Sequence, residues 1–92
     1  MTSVDIIAVK LPDLDGVIEE YAFILTIKEL EAILNLGVNQ TCNLPSLDGE
    51  AFRGDYGVLN IRYKNAGGHR FASVDFDKAK QIIKDMLLDV GY

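Results

Sequence analysis

Ninety-two residues, 49% hydrophobic and 25% charged, suffice for one domain and exclude two independent cores. The longest apolar runs, such as residues 6–9 and 21–25, fall far below the roughly 20 residues that cross a bilayer, so no membrane partner is expected. One cysteine, Cys42, leaves no internal disulfide and no multi-cysteine zinc site. The first residues lack a basic-then-apolar leader pattern, and a reducing cytoplasm is the expected compartment.

The net charge of −5 is unevenly spread. Residues 1–52 carry nine acids against Lys10 and Lys28, a net −7; residues 53–92 carry seven bases against five acids, a net +2. Two surfaces of opposite sign are the functional expectation from that split.

In chain order, Val4 to Leu11 reads as a β-branched strand covered on much of both faces. Pro12-Asp13-Leu14-Asp15-Gly16 is a turn, and Val17 to Leu25 returns as a strand with Tyr21, Phe23 and Leu25 on one side. Thr26-Ile27-Lys28-Glu29 forms a capping box, with Leu25 and Leu30 as its hydrophobic staple. It opens an amphipathic helix of about three turns that Gly37 is placed to close.

Residues 38–57 are irregular, with one helical turn expected between Pro45 and Ala51. Within them Leu44-Pro45-Ser46-Leu47-Asp48-Gly49 echoes the turn at residues 11–16, which suggests the same turn chemistry used twice. Val58 to Lys64 alternates as a half-buried strand, Asn65-Ala66-Gly67-Gly68 is a tight connection, and His69 to Phe76 returns. Asp77 is the expected cap of a last helix whose buried stripe runs Ala79, Ile82, Ile83, Met86, Leu87 and Val90. The predicted fold is α+β in ββα-ββα order: a four-stranded, mainly antiparallel sheet with both helices on one face and the opposite face partly open. An intertwined homodimer is also compatible with that order.

No residue pattern assembles a catalytic centre, a cofactor site or a metal site. Cys42 and His69 are single residues without an orienting third group, best read as a small buried residue and a polar residue at the start of a strand. Asp13 and Asp15 lack the remaining ligands of a calcium loop.

The second hairpin makes a sharper statement. An even-length connection puts His69, Phe71 and Ser73 on the side of Asn60, Arg62 and Lys64, which leaves Phe71 outside among bases. An odd-length loop or a bulge turns Phe71 into the core instead.

Three functions follow. The first is a non-catalytic protein-binding module that engages a partner with a basic surface through Asp13, Asp15, Glu19, Glu20, Asp48 and Glu50. Phage- or mobile-element-encoded inhibitors of nucleases are one setting that size and charge fit. The second is nucleic-acid binding through Arg62, Lys64, His69, Arg70 and Phe71, which a pI near 4.6 disfavours. The third is a small enzyme or ligand-binding domain with a site under the 38–57 loop, built from Cys42, Arg53, Asp55 and Tyr56.

Overall fold

A computed structural model of the chain describes residues 6–16 and 20–91. The predicted strand positions at residues 4, 5 and 17–19, Glu19 among them, lie outside that range. The fold is α+β, in the order β1 (Ile6–Pro12), β2 (Glu20–Thr26), α1 (Ile27–Leu34), β3 (Thr41–Leu44), β4 (Gly49–Arg53), β5 (Val58–Asn65), β6 (Gly68–Asp75), α2 (Phe76–Asp89). Among the described residues no helix is long and apolar enough to cross a membrane.

The four-stranded antiparallel sheet exists, but its members differ from the expectation. It is the meander β3-β4-β5-β6, while β1 and β2 form a separate two-stranded ribbon. The reason lies in residues 38–57, which supply β3 and β4 around a 3-10 turn at Pro45–Leu47 instead of a loop. Short runs such as Thr41-Cys42-Asn43-Leu44 alternate over too few residues to announce a strand, and pairing with a neighbour decides them.

The ribbon joins the sheet at one corner, where Asp13 bridges Val74 and the Leu14 amide donates to the Ser73 carbonyl at 2.8 Å. β1 alternates strictly, with Ile7, Val9 and Leu11 buried and Ile6, Ala8 and Lys10 exposed, so it is covered on one face and not on both. One core takes Val9, Leu11, Phe23 and Leu25 from the ribbon, Ala51, Leu59, Ile61, Ala72 and Val74 from the sheet, and Leu30, Ile33, Phe76, Ile83 and Leu87 from the helices.

The capping box of α1 is present in both halves: the Thr26 amide donates to Glu29 Oε1 at 2.8 Å and the Glu29 amide to Thr26 Oγ1 at 3.1 Å. Glu29 is itself buried and also accepts from the Ser46 amide (2.9 Å) and hydroxyl, which ties α1 to the 3-10 turn after β3. Burial alone would push its pKa up, but the hydrogen bonds from Ser46 and Thr26 outweigh it and hold the carboxylate below its usual value.

α1 is shorter than expected and Gly37 does not close it. Asn35 caps the C-terminus, its side-chain amide donating to the Glu31 carbonyl at 3.0 Å, and Leu36 then turns into the core. At α2 the cap is Asp75, whose carboxylate accepts from the Lys78 amide at 3.0 Å, and not Asp77. Starting the helix at Phe76 lets that ring drop into the core, while Asp77 stays in the first turn where the helix dipole favours an anion. Val90 sits past the end of α2 and is 54% exposed, so the buried stripe stops at Leu87. The repeated turn sequence does not repeat its conformation: the left-handed residue is Gly16 in the first copy and Asp48 in the second.

Candidate functional site

The connection between β5 and β6 is even, with Asn65 paired to Gly68 and a two-residue turn between them. Gly68 supplies a left-handed φ of 102°, and the Gly67 amide donates to the Asn65 side chain at 2.8 Å. That register pairs Lys64 with His69, Arg62 with Phe71 and Asn60 with Ser73. Phe71 therefore faces outward and is 69% exposed.

The same alternation runs through β3 and β4, so the outer face of the sheet carries two complete cross-strand rows. One reads Thr41, Phe52, Asn60, Ser73; the next reads Asn43, Glu50, Arg62, Phe71. Among the described residues no helix covers this face, because the inward side chains Ala51, Leu59, Ile61, Ala72 and Val74 meet the helices and ribbon on the other side. Phe52 and Phe71 flank a groove of about 360 Å³ that Glu50, Asn60 and Arg62 also line.

Charges on this face are paired within it. Arg62 Nη2 donates to Glu50 Oε1 at 3.0 Å and Nη1 to His69 Nδ1 at 3.0 Å, while Lys64 lies 3.8 Å from Asp48. Ser73 donates to Asn60 Oδ1 at 2.9 Å. The basic-aromatic set of the sequence is thus brought together for Arg62, Lys64, His69 and Phe71. Arg70 is not part of it, since it alternates to the opposite side of β6 and pairs in register with Tyr63.

The acidic set is divided. Glu50 lies within the outer sheet face, paired with Arg62, and Asp48 borders it through its pair with Lys64. Glu20 lies on the ribbon, 3.9 Å from Lys10, and Asp13 and Asp15 occupy the β1–β2 turn. Asp13 accepts from the Tyr21 hydroxyl at 3.1 Å; burial, then that hydrogen bond and the nearby Asp13 charge, push the Tyr21 phenol up.

The groups expected under the 38–57 loop are spread over different elements: Cys42 on β3, Arg53 at the end of β4, and Asp55 and Tyr56 in the turn that follows. Arg53 points inward, with Nη1 donating to the Leu36 carbonyl at 2.8 Å and its guanidinium 4.1 Å above the Phe76 ring; its Nε is buried without a partner. Cys42 is half-buried on β3, and burial pushes its thiol pKa up. His69 lies on β6 at the opposite edge of the sheet, three strands away from Cys42. Among the described residues no group of three or more His, Cys, Asp or Glu is placed to hold a metal ion.

Sequence reasoning missed Phe52 on this face, and it named Tyr56 only for a site under the 38–57 loop. Tyr56 is fully exposed at the β4–β5 turn with φ of 63°, a left-handed conformation that costs a β-carbon residue roughly 1–2 kcal/mol. Phe52 shares the groove with Phe71, and its signal was the alternation of Glu50, Ala51 and Phe52, visible only once β4 is recognised as a strand. Comparison with known protein families, curated proteins and solved structures finds no match for this chain.

Proposed function

We propose that this chain is a non-catalytic protein-binding module whose contact surface is the outer face of the four-stranded sheet, with Phe71 as its principal anchor. The observation that carries the reading is a Phe 69% exposed beside an Arg on a sheet face that no helix covers among the described residues. Aromatic residues and Arg supply most binding energy at protein interfaces, and Phe52, Phe71 and Arg62 give this face three of them. A strained, fully exposed Tyr56 adds weight, because a conformation that costs stability persists where another gain offsets it.

The partner is a protein with a basic surface. The net charge of −5, with Asp13, Asp15 and Glu20 contributing at long range, steers such a partner in, and Glu50 on the face and Asp48 at its edge meet it. Obstruction of a nucleic-acid-binding protein is the inhibitory role in which that charge is put to use. The cytoplasm suits the half-buried Cys42, whose raised pKa keeps it a thiol. A nucleic-acid partner is favoured by the cross-strand neighbours Arg62 and Phe71 but opposed by the pairing of Arg62 and Lys64 with Glu50 and Asp48, which leaves little positive potential for phosphates.

Photo-crosslinking tests the reading. Benzoylphenylalanine at position 71, in cells of the source organism, is expected to trap a discrete protein, while the same group at the exposed Leu88 of α2 is not. Crosslinks to nucleic acid, or the same products from both positions, would overturn it.

A further inference from the structure

β2 pairs with β1 along one edge and, among the described residues, with no strand along the other. A cleft of about 560 Å³ runs beside that free edge and is lined by five consecutive β2 residues, Glu20 to Ile24. Successive side chains of a strand point to opposite faces, so a cleft that touches all five follows the strand's edge and not one of its faces. Across the cleft stand Leu47 of the 3-10 turn and the last three residues of β5. Those three, Tyr63 to Asn65, pair with β6 on one side but extend past the β4 pairing, which ends at Arg62. Among the described residues, then, neither the outer edge of β2 nor β5 at Lys64 and Asn65 has a paired strand on the side of the cleft. Its floor is aromatic: Phe23 and Tyr63 meet edge to face at 5.3 Å, and Tyr21 stacks on Phe23 at 6.1 Å.

We infer that this cleft is a second binding site, one that takes an extended peptide segment of a partner protein as an added strand along β2. An unpaired edge offers a row of amide donors and carbonyl acceptors that a strand satisfies whatever its sequence. Five residues of β2 match a segment about 17 Å long. Because Leu47 and β5 close the far side, the occupant is a single segment free on both edges; the edge of a folded sheet, such as that of a second copy, would bring its neighbouring strand about 4.8 Å behind it into the same space. The ring floor selects apolar side chains at alternate positions. At the rim, Glu20 and Lys64 hold only long, exposed ion pairs, 3.9 Å to Lys10 and 3.8 Å to Asp48, which leaves them ready to turn to a basic and an acidic side chain on the segment. The segment is thus an alternating apolar stretch with one charge of each sign.

Selection of random dodecapeptides on the full chain, followed by synthesis of the best binder, supplies the probe. The amides of Ala22, Phe23, Ile24, Lys64 and Asn65 are expected to shift on titration with it. N-methylation of the peptide backbone is expected to weaken binding at least tenfold at alternate positions and less than twofold at those between. Phe71→Ala is expected to leave this affinity within twofold, so the site stands or falls separately from the outer sheet face. A selected peptide that leaves the β2 amides unmoved, or that tolerates N-methylation at every position, would overturn the inference, as would a selection that yields no binder.

Discussion

Arg62 and Phe71 face each other across β5 and β6 on the uncovered side of the sheet, and the guanidinium between Glu50 and His69 is held by both. The ring contributes little to the fold for its size, since most of it is in solvent. Phe71→Ala should change the unfolding free energy by less than about 1 kcal/mol, the scale of one cross-strand pair. Chemical denaturation of the two proteins checks this.

Tyr56 should behave in the opposite sense from a core residue. Replacing it with Asn, which tolerates a left-handed backbone, should stabilise the chain by about 0.5–1 kcal/mol, read as a higher denaturation midpoint at constant slope. The same change should weaken partner binding if the exposed ring is retained for contact.

Glu29 makes stability depend on acid. Its folded pKa lies below the unfolded one because the bonds from Ser46 and Thr26 outweigh the effect of burial. The unfolded chain therefore binds the proton first as pH falls. The stabilisation is complete above about pH 4.3, the ordinary Glu value, and is lost as pH drops through the folded value. Glu29→Gln should cost about 1–2 kcal/mol at neutral pH and flatten the acid limb of a stability-against-pH curve.

Arg53 is a structural residue by its contacts. Arg53→Ala removes the bond to the Leu36 carbonyl and the stack on Phe76, at a cost of about 2–3 kcal/mol. Arg53→Lys should recover less than half, because an ammonium lacks the planar fork that serves both partners. Thermal unfolding of the pair of variants distinguishes these outcomes.

Gly49 has no room for a side chain: a Cβ there would fall 1.8 Å from the Arg62 carbonyl oxygen. Gly49→Ala should part β4 from β5 and cost about 3 kcal/mol or more, which chemical denaturation beside the native chain measures.

Much of this was legible in the letters, for local reasons. Thr26 and Glu29 announce their own capping box, and the alternation of residues 58–64 with the even turn at Asn65–Gly68 places Phe71 outside. What could not be read were features set by tertiary neighbours. β3 and β4 are four and five residues long and exist through their pairing, so the strand membership of Phe52 and the true composition of the sheet stayed hidden. The choice of Asp75 over Asp77 as a cap depends on where Phe76 must be buried, and the division of the acids between ribbon and sheet depends on how the two pack. Arg70 fell out of the basic-aromatic face by simple alternation, a rule available from the sequence but masked by grouping residues on charge.

The most direct test of the central claim is the affinity of the partner trapped at position 71, measured by titration calorimetry against the native chain and Phe71→Ala. A loss of at least tenfold, about 1.4 kcal/mol, is expected for Phe71→Ala. Unchanged affinity for Phe71→Ala, together with a loss on charge reversal at Asp13, Asp15 and Glu20, would contradict it and move the contact to the acidic turn and ribbon.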